Sequence, residues 1–190
     1  MRDLTPRPPD CDAALVLADG TLFWGRGLGA VGTAVGEVCF NTAVSGYQEI
    51  VTDPSYAGQI IAFTFPHIGN VGANREDVEA TTPAARGLVL RTLSTEPASY
   101  RATQSLDNWL RSYGLIGISG VDTRRLTRRI RDFGPPNGVI AYDPERRLDI
   151  SSLHARARAW PGLEGMDLAK DVTCRQTYEW DETVWDHERG

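Results

Sequence analysis

From Ala13 onward the chain alternates apolar runs with turn residues. The segment AALVLADGTLFWGRGLG sets an apolar run, then Asp19-Gly20, then a second apolar run. Asp-Gly between two such runs is the strongest short-range signal for a β-hairpin, because these residues accept the positive φ that a tight turn demands. VGEVCFNTA (35–43) and QIIAFTF (59–65) extend the pattern with β-branched and aromatic residues, and GLVLR (87–91) and LIGIS (115–119) have the length of short buried strands. The first half is therefore predicted to be mainly β.

The period changes after residue 100. TQSLDNWLRSYG (103–114) places Leu106, Trp109, Leu110 and Tyr113 on one helical face, with Gly114 as C-cap. VDTRRLTRRIRDFG offers Asp122 as N-cap, Leu126 and Ile130 as an i, i+4 apolar pair, and Gly134 as the stop. NGVIAY (137–142) reads as a further strand and SSLHARARAW (151–160) as a short helix. The alternation of strand and helix between about 100 and 160 predicts parallel pairing through crossover helices, whereas the opening hairpin is antiparallel. The expected fold is α/β, a layered β/β/α domain with mixed sheets over 13–160. Residues 1–12, with three prolines and alternating charges, read as a flexible lead-in. Residues 161–190 carry acids, Trp180 and Trp185 without a sustained period, and read as a linker or docking tail.

Composition narrows the function. Hydrophobic residues make up 41% and charged residues 24% of the 190, as in an ordinary folded protein in water. The net charge of −5 argues against nonspecific nucleic-acid binding, which relies on excess Lys and Arg. No apolar stretch approaches the ~18–20 residues of a membrane span, and MRDLTPRPPDCD lacks the apolar core of a signal peptide, so the expected location is cytoplasmic. Cys11, Cys39 and Cys174 are odd in number and widely spaced, which predicts reduced thiols, with Cys39 a small core residue. His67, His154 and His187 are equally scattered, and no bound metal is expected.

GLGAVG (27–32) matches the dinucleotide-binding pattern, but the valines and Phe40 that follow read as strand, where that motif requires a helix to open. The glycines are expected in a turn or bulge. Arg124, Arg125, Arg128, Arg129 and Arg131 form a basic helix face, open to two readings: a solvated face pairing with acids elsewhere, or a surface for an acidic protein partner. One short basic helix falls short of a nucleic-acid signature. No Ser or Cys sits in a nucleophile elbow, and His67 before a Gly-Asn turn reads as structural, so no catalytic set is expected. In SGYQEIVTDPSYAGQ (45–59), Asp53-Pro54-Ser55-Tyr56 can form a turn that presents Ser55 to a polar ligand, or whose polar groups satisfy one another.

The order of these blocks, LVLADGTLFWGRGLGAVGTAVGEVCFNTAVSGYQEIVTDPSYAGQIIAFTFPHIGNVGAN, ARGLVLR, GISGVDTRRLTRRIRDFG and PGLEGMDLAKDV, closely resembles the N-terminal half of the small, glutamine-hydrolysing subunit of carbamoyl-phosphate synthetase, from about Ala13 to Val172. The resemblance implies a β/β/α swivelling-type domain, with 161–190 leading towards a class I glutamine amidotransferase domain expected beyond Gly190. That following domain holds the family's Cys-His-Glu set, so no catalytic residue and no cofactor is expected in this chain. A large subunit is the implied partner; it uses ATP, Mg²⁺ and bicarbonate to make carbamoyl phosphate for arginine and pyrimidine synthesis. The Ser of the family's D-P-S-Y stretch, Ser55 here, is implied to reach the glutamine site. The alternative is a free-standing, non-catalytic binding module with the same fold.

Overall fold

The computed structural model describes residues 6–174 together with 176, 177 and 179. Trp180, Trp185 and the first five residues of the lead-in lie outside the described residues. The strands are β1 (Ala13–Leu17), β2 (Leu22–Gly29), β3 (Gly32–Asn41), β4 (Gln59–Phe63), β5 (Gly87–Val89), β6 (Ile116–Ser119) and β7 (Asn137–Tyr142). They close into a barrel in the order β1-β2-β6-β5-β4-β3-β7. Closure removes the unpaired strand edges that an open sheet would leave to other chains.

The hairpin expected at Asp19-Gly20 is present, with Leu15 opposite Phe23 across β1 and β2. The Asp19 carboxylate fixes its turn by accepting the Thr21 amide and hydroxyl, each at 2.9 Å. Parallel pairs run through β3-β4, β4-β5 and β5-β6. The sequence expectation of parallel pairing holds for β5 and β6 but not for β7, which lies antiparallel to both β1 and β3. The reason is the length of β3. Its first half pairs antiparallel with β7 (Thr33 opposite Ala141) and its second half parallel with β4 (Val38 opposite Ile60), so this strand joins the antiparallel and parallel parts of the barrel.

Period-2 alternation divides the core. Leu15, Leu17, Ile60, Ala62, Ile118 and Ile140 point inward, while the intervening Ala14, Val16, Val139 and Ala141 face α4 (Ile150–Ala159) through Leu153 and Ala157. Ile61, Phe63, Leu88 and Leu90 face α2 (Leu106–Ser112), whose Leu106, Trp109 and Leu110 supply the expected apolar face. With the barrel interior on one face and α4 on the other, β1 is buried along its whole length. α3 (Thr123–Phe133) begins at Asp122, whose carboxylate accepts the Arg125 amide at 3.0 Å, and stops at Gly134 with φ +83. Its Leu126 and Ile130 join the barrel interior. Cys39 packs half-buried against the α2 layer, and burial, followed by the nearby Glu37 charge, pushes its thiol up to about 12. His154 is structural, its Nε2 3.1 Å from the Ala18 carbonyl oxygen.

Candidate functional site

The stretch 45–59 is not the simple turn that its composition predicts. Gly46, at φ +74, opens a short helix, α1 (Tyr47–Thr52), and a single 3-10 turn (Pro54–Tyr56) follows before β4. The missed signal is Tyr47, Ile50 and Val51 at i, i+3, i+4, a helical period too short to outweigh the turn residues around it.

Most polar groups here are occupied within the fold. The buried Tyr47 hydroxyl donates to the Gly72 carbonyl, and burial pushes the phenol up to about 12, which keeps that donor protonated. Gln48 clasps the backbone of Asn74 from both ends of its amide, at 2.6 and 3.0 Å. The Thr52 hydroxyl donates to the Gln48 carbonyl at 2.9 Å and accepts the Glu79 amide at 2.9 Å. Tyr56 accepts from Asn41 Nδ2 at 2.9 Å, and Gln59 donates to Glu37 at 2.8 Å. The Tyr47, Gln48 and Thr52 bonds hold the irregular segment 64–86 against α1. For this part of the stretch, the self-satisfying reading is the correct one.

Ser55 is different. Asp53 accepts its backbone amide at 2.8 Å, Pro54 fixes φ at the first position of the 3-10 turn, and the Tyr56 and Ala57 amides close the turn at 3.1 and 3.0 Å. The backbone is held four ways while the exposed Ser55 hydroxyl meets no partner among the described residues. Ser45, also exposed, has a free hydroxyl too, but no turn bonds hold it. A hydroxyl can donate one hydrogen bond and accept two, which suits a small polar ligand.

Pro54, Ala57 and Gly58, on either side of Ser55, line a cleft of about 380 Å³ together with Thr81, Thr82, Arg86, Leu168 and Val172, the last of these in α5 (Ala169–Val172). Gly58, at φ +77, lies under Leu163: a Cβ on Gly58 would come within 2.7 Å of Leu163 Cδ2. The segment after Pro161 therefore folds back onto the Ser55 turn. Among the described residues no histidine hydrogen-bonds to the Ser55 hydroxyl; His67 is exposed and meets Phe65 edge-on at 5.9 Å. Among the described residues, no three His, Cys, Asp or Glu side chains form a group that could hold a metal ion. None of the described helices is long and apolar enough to cross a membrane.

GLGAVG makes the tight turn expected of it. Gly29, at φ +77, donates its amide to Asp107 Oδ1 at 2.6 Å, and a Cβ there would lie 2.3 Å from the Leu115 carbonyl oxygen. β3, not a helix, follows. An acid in the first turn of α2 thus takes the place a pyrophosphate would need.

Comparison with known proteins agrees with this arrangement. Residues 15–140 match the family described as carbamoyl-phosphate synthase small chain, CPSase domain. The chain is 60% identical over 182 residues to the carbamoyl phosphate synthase small chain of Bradyrhizobium diazoefficiens, covering 94% of this chain and 46% of that one. It is 58% identical over 177 residues to that of Rhizobium meliloti, covering 91% and 44%, and 55% identical over 186 residues to that of Caulobacter vibrioides, covering 96% and 48%. It spans a little under half the length of these curated relatives. A match across this much of the barrel, over so large a share of the chain, shows that the protein belongs to the carbamoyl-phosphate synthase small-chain family and corresponds to its N-terminal CPSase domain.

Proposed function

We propose that this domain is the non-catalytic half of a glutamine-hydrolysing small subunit: it completes the glutamine site through Ser55 and docks a large subunit. The observation that carries this reading is the Ser55 hydroxyl, without a partner among the described residues on a turn whose backbone is held by hydrogen bonds. The fold-back of 161–172 supports it, because chain that continues past α5 starts from beside Pro54, Ala57 and Gly58, the residues that flank Ser55. An amidotransferase domain carrying the Cys-His-Glu set would cover the turn from there. Ser55 would hold a polar group of the glutamine while that domain performs the hydrolysis. The ammonia passes to the large subunit, which uses ATP, Mg²⁺ and bicarbonate in the cytoplasm to form carbamoyl phosphate for arginine and pyrimidine synthesis. Within this reading the barrel with helices packed outside it is the β/β/α swivelling-type domain of the family.

The test is ammonia release from glutamine by the isolated 190-residue chain and by the full-length small chain bound to its large partner. The expected result is release by the complex and none by the isolated domain. Clear glutaminase activity of the domain alone would overturn the division of labour.

A further inference from the structure

The polar face of α3 carries five arginines between positions 124 and 131, and the fold uses them unequally. Arg129 donates to the Asp19 carboxylate of the β1-β2 turn, with Nε at 3.0 Å. The Arg125 guanidinium lies over the Phe23 ring, 5.3 Å from its centroid. Arg131 pairs with its own neighbour Asp132 at 3.0 Å, on the surface. Arg124 and Arg128 are exposed and meet no acid among the described residues. They stand at i, i+4, where like charges destabilise a helix. Across from them, Arg91 lies 3.8 Å from Asp122 Oδ1, an oxygen already accepting the Arg125 amide at 3.0 Å.

Arg91, Arg124, Arg128 and Arg131 line a single cleft of about 700 Å³, together with Thr64, Thr123 and Thr127. Thr64 follows the last residue of β4, Arg91 lies just beyond β5, and Thr123 opens the helix after β6. The cleft therefore sits at the carboxyl ends of three neighbouring parallel strands, where α/β sheets gather their binding sites. Four arginines with only Asp122 and Asp132 as acidic partners leave Arg124 and Arg128 in excess, and this local positive charge in a protein of net charge −5 suits an anion from outside the domain.

Three features favour a carboxylate-rich polypeptide segment over a small phosphate ligand. The helical rise separates Arg124 from Arg131 by ~10 Å, a row suited to several carboxylates in succession. The cleft lining contains no glycine, hence no glycine loop to cradle phosphate. The α3 N-terminus is already capped by Asp122. We propose that the arginine cleft between α3 and the ends of β4 and β5 is the docking site for an acidic, extended segment of the large-subunit partner. This rests on the reading that the domain docks a large subunit.

The experiment measures the Kd between full-length small and large chains from 50 to 500 mM NaCl. It compares the wild type, Arg124→Glu/Arg128→Glu, the milder Arg124→Gln/Arg128→Gln, and a charge-matched control on the α4 side, Arg147→Glu/Arg158→Glu. The wild-type Kd is expected to rise with salt. The glutamate pair should weaken binding at least ~30-fold at low salt and flatten the salt dependence, the glutamine pair should fall between, and the control should stay within ~2-fold. The glutamine pair keeps the test open if charge reversal unfolds α3. Wild-type binding with both cleft variants unchanged would overturn the inference and leave large-subunit docking intact. No association of the wild-type chains would overturn the docking reading and the inference with it. Stabilisation of wild type but not the variants by inorganic tripolyphosphate, with association unaffected, would identify a small-polyanion site and overturn the proposal.

Discussion

The Asp53 carboxylate accepts the Ser55 backbone amide at 2.8 Å, which fixes the turn and leaves the Ser55 hydroxyl unengaged. In the proposed glutamine site, this division would make Asp53 the residue that positions Ser55. In the full-length complex, Asp53→Ala should raise the KM for glutamine ~3–10-fold, since a lost side-chain cap costs about 1 kcal/mol and releases the turn. Rates with ammonia as nitrogen donor should not change. Asp53→Asn keeps an acceptor oxygen and should restore most of the loss; no recovery by Asn would argue against the cap as the cause.

Gly58 links the same turn to the chain beyond Pro161. Its φ of +77 excludes an unstrained side chain, and the Leu163 methyl occupies the space a Cβ would need. Gly58→Ala should cost about 1–2 kcal/mol, or ~2–8 °C in Tm for a domain of this size. Leu163→Ala in that background should cost less than it does in the wild type, because the smaller residue relieves the contact. Strictly additive effects would mean that Leu163 does not rest on the turn in solution.

Asp19 joins the hairpin turn to α3, and its carboxyl lies below its ordinary value. Burial raises it, but the Thr21 amide, the Arg129 guanidinium and the Thr21 hydroxyl together outweigh that effect. A carboxyl depressed in the folded state adds stability above its unfolded value, ~3.9, and loses it as pH falls through the lower folded value. Thermal melts from pH 7 to pH 2.5 should therefore show a wild-type decline below about pH 4 that is shallower in Asp19→Asn. Parallel curves for the two proteins would remove Asp19 from the account of acid stability.

The local elements were legible because their signals are local. The Asp19-Gly20 hairpin and the Asp122 and Gly134 helix ends each depend on residues within one turn of themselves, and all three are present. The antiparallel placement of β7 was not legible, since it depends on how β3 divides its length between β7 and β4. Helix α1 was hidden for a similar reason: Tyr47 and Gln48 are anchored to Gly72 and Asn74, far along the chain. Ser55 could be singled out only through resemblance. Its distinguishing property is a hydroxyl that has no partner among the described residues on a turn whose backbone is bonded, which no sequence displays.

The most direct measurement is the steady-state comparison of Ser55→Ala with wild type in the full-length complex, using glutamine and then ammonia as nitrogen donor. Loss of one hydrogen bond worth ~1.5 kcal/mol corresponds to an effect of ~10-fold. The account predicts kcat/KM for glutamine lowered by about that factor, with ammonia-dependent synthesis within ~2-fold of wild type. Equal losses with both donors, or no loss with glutamine, would contradict a role for Ser55 in the glutamine site.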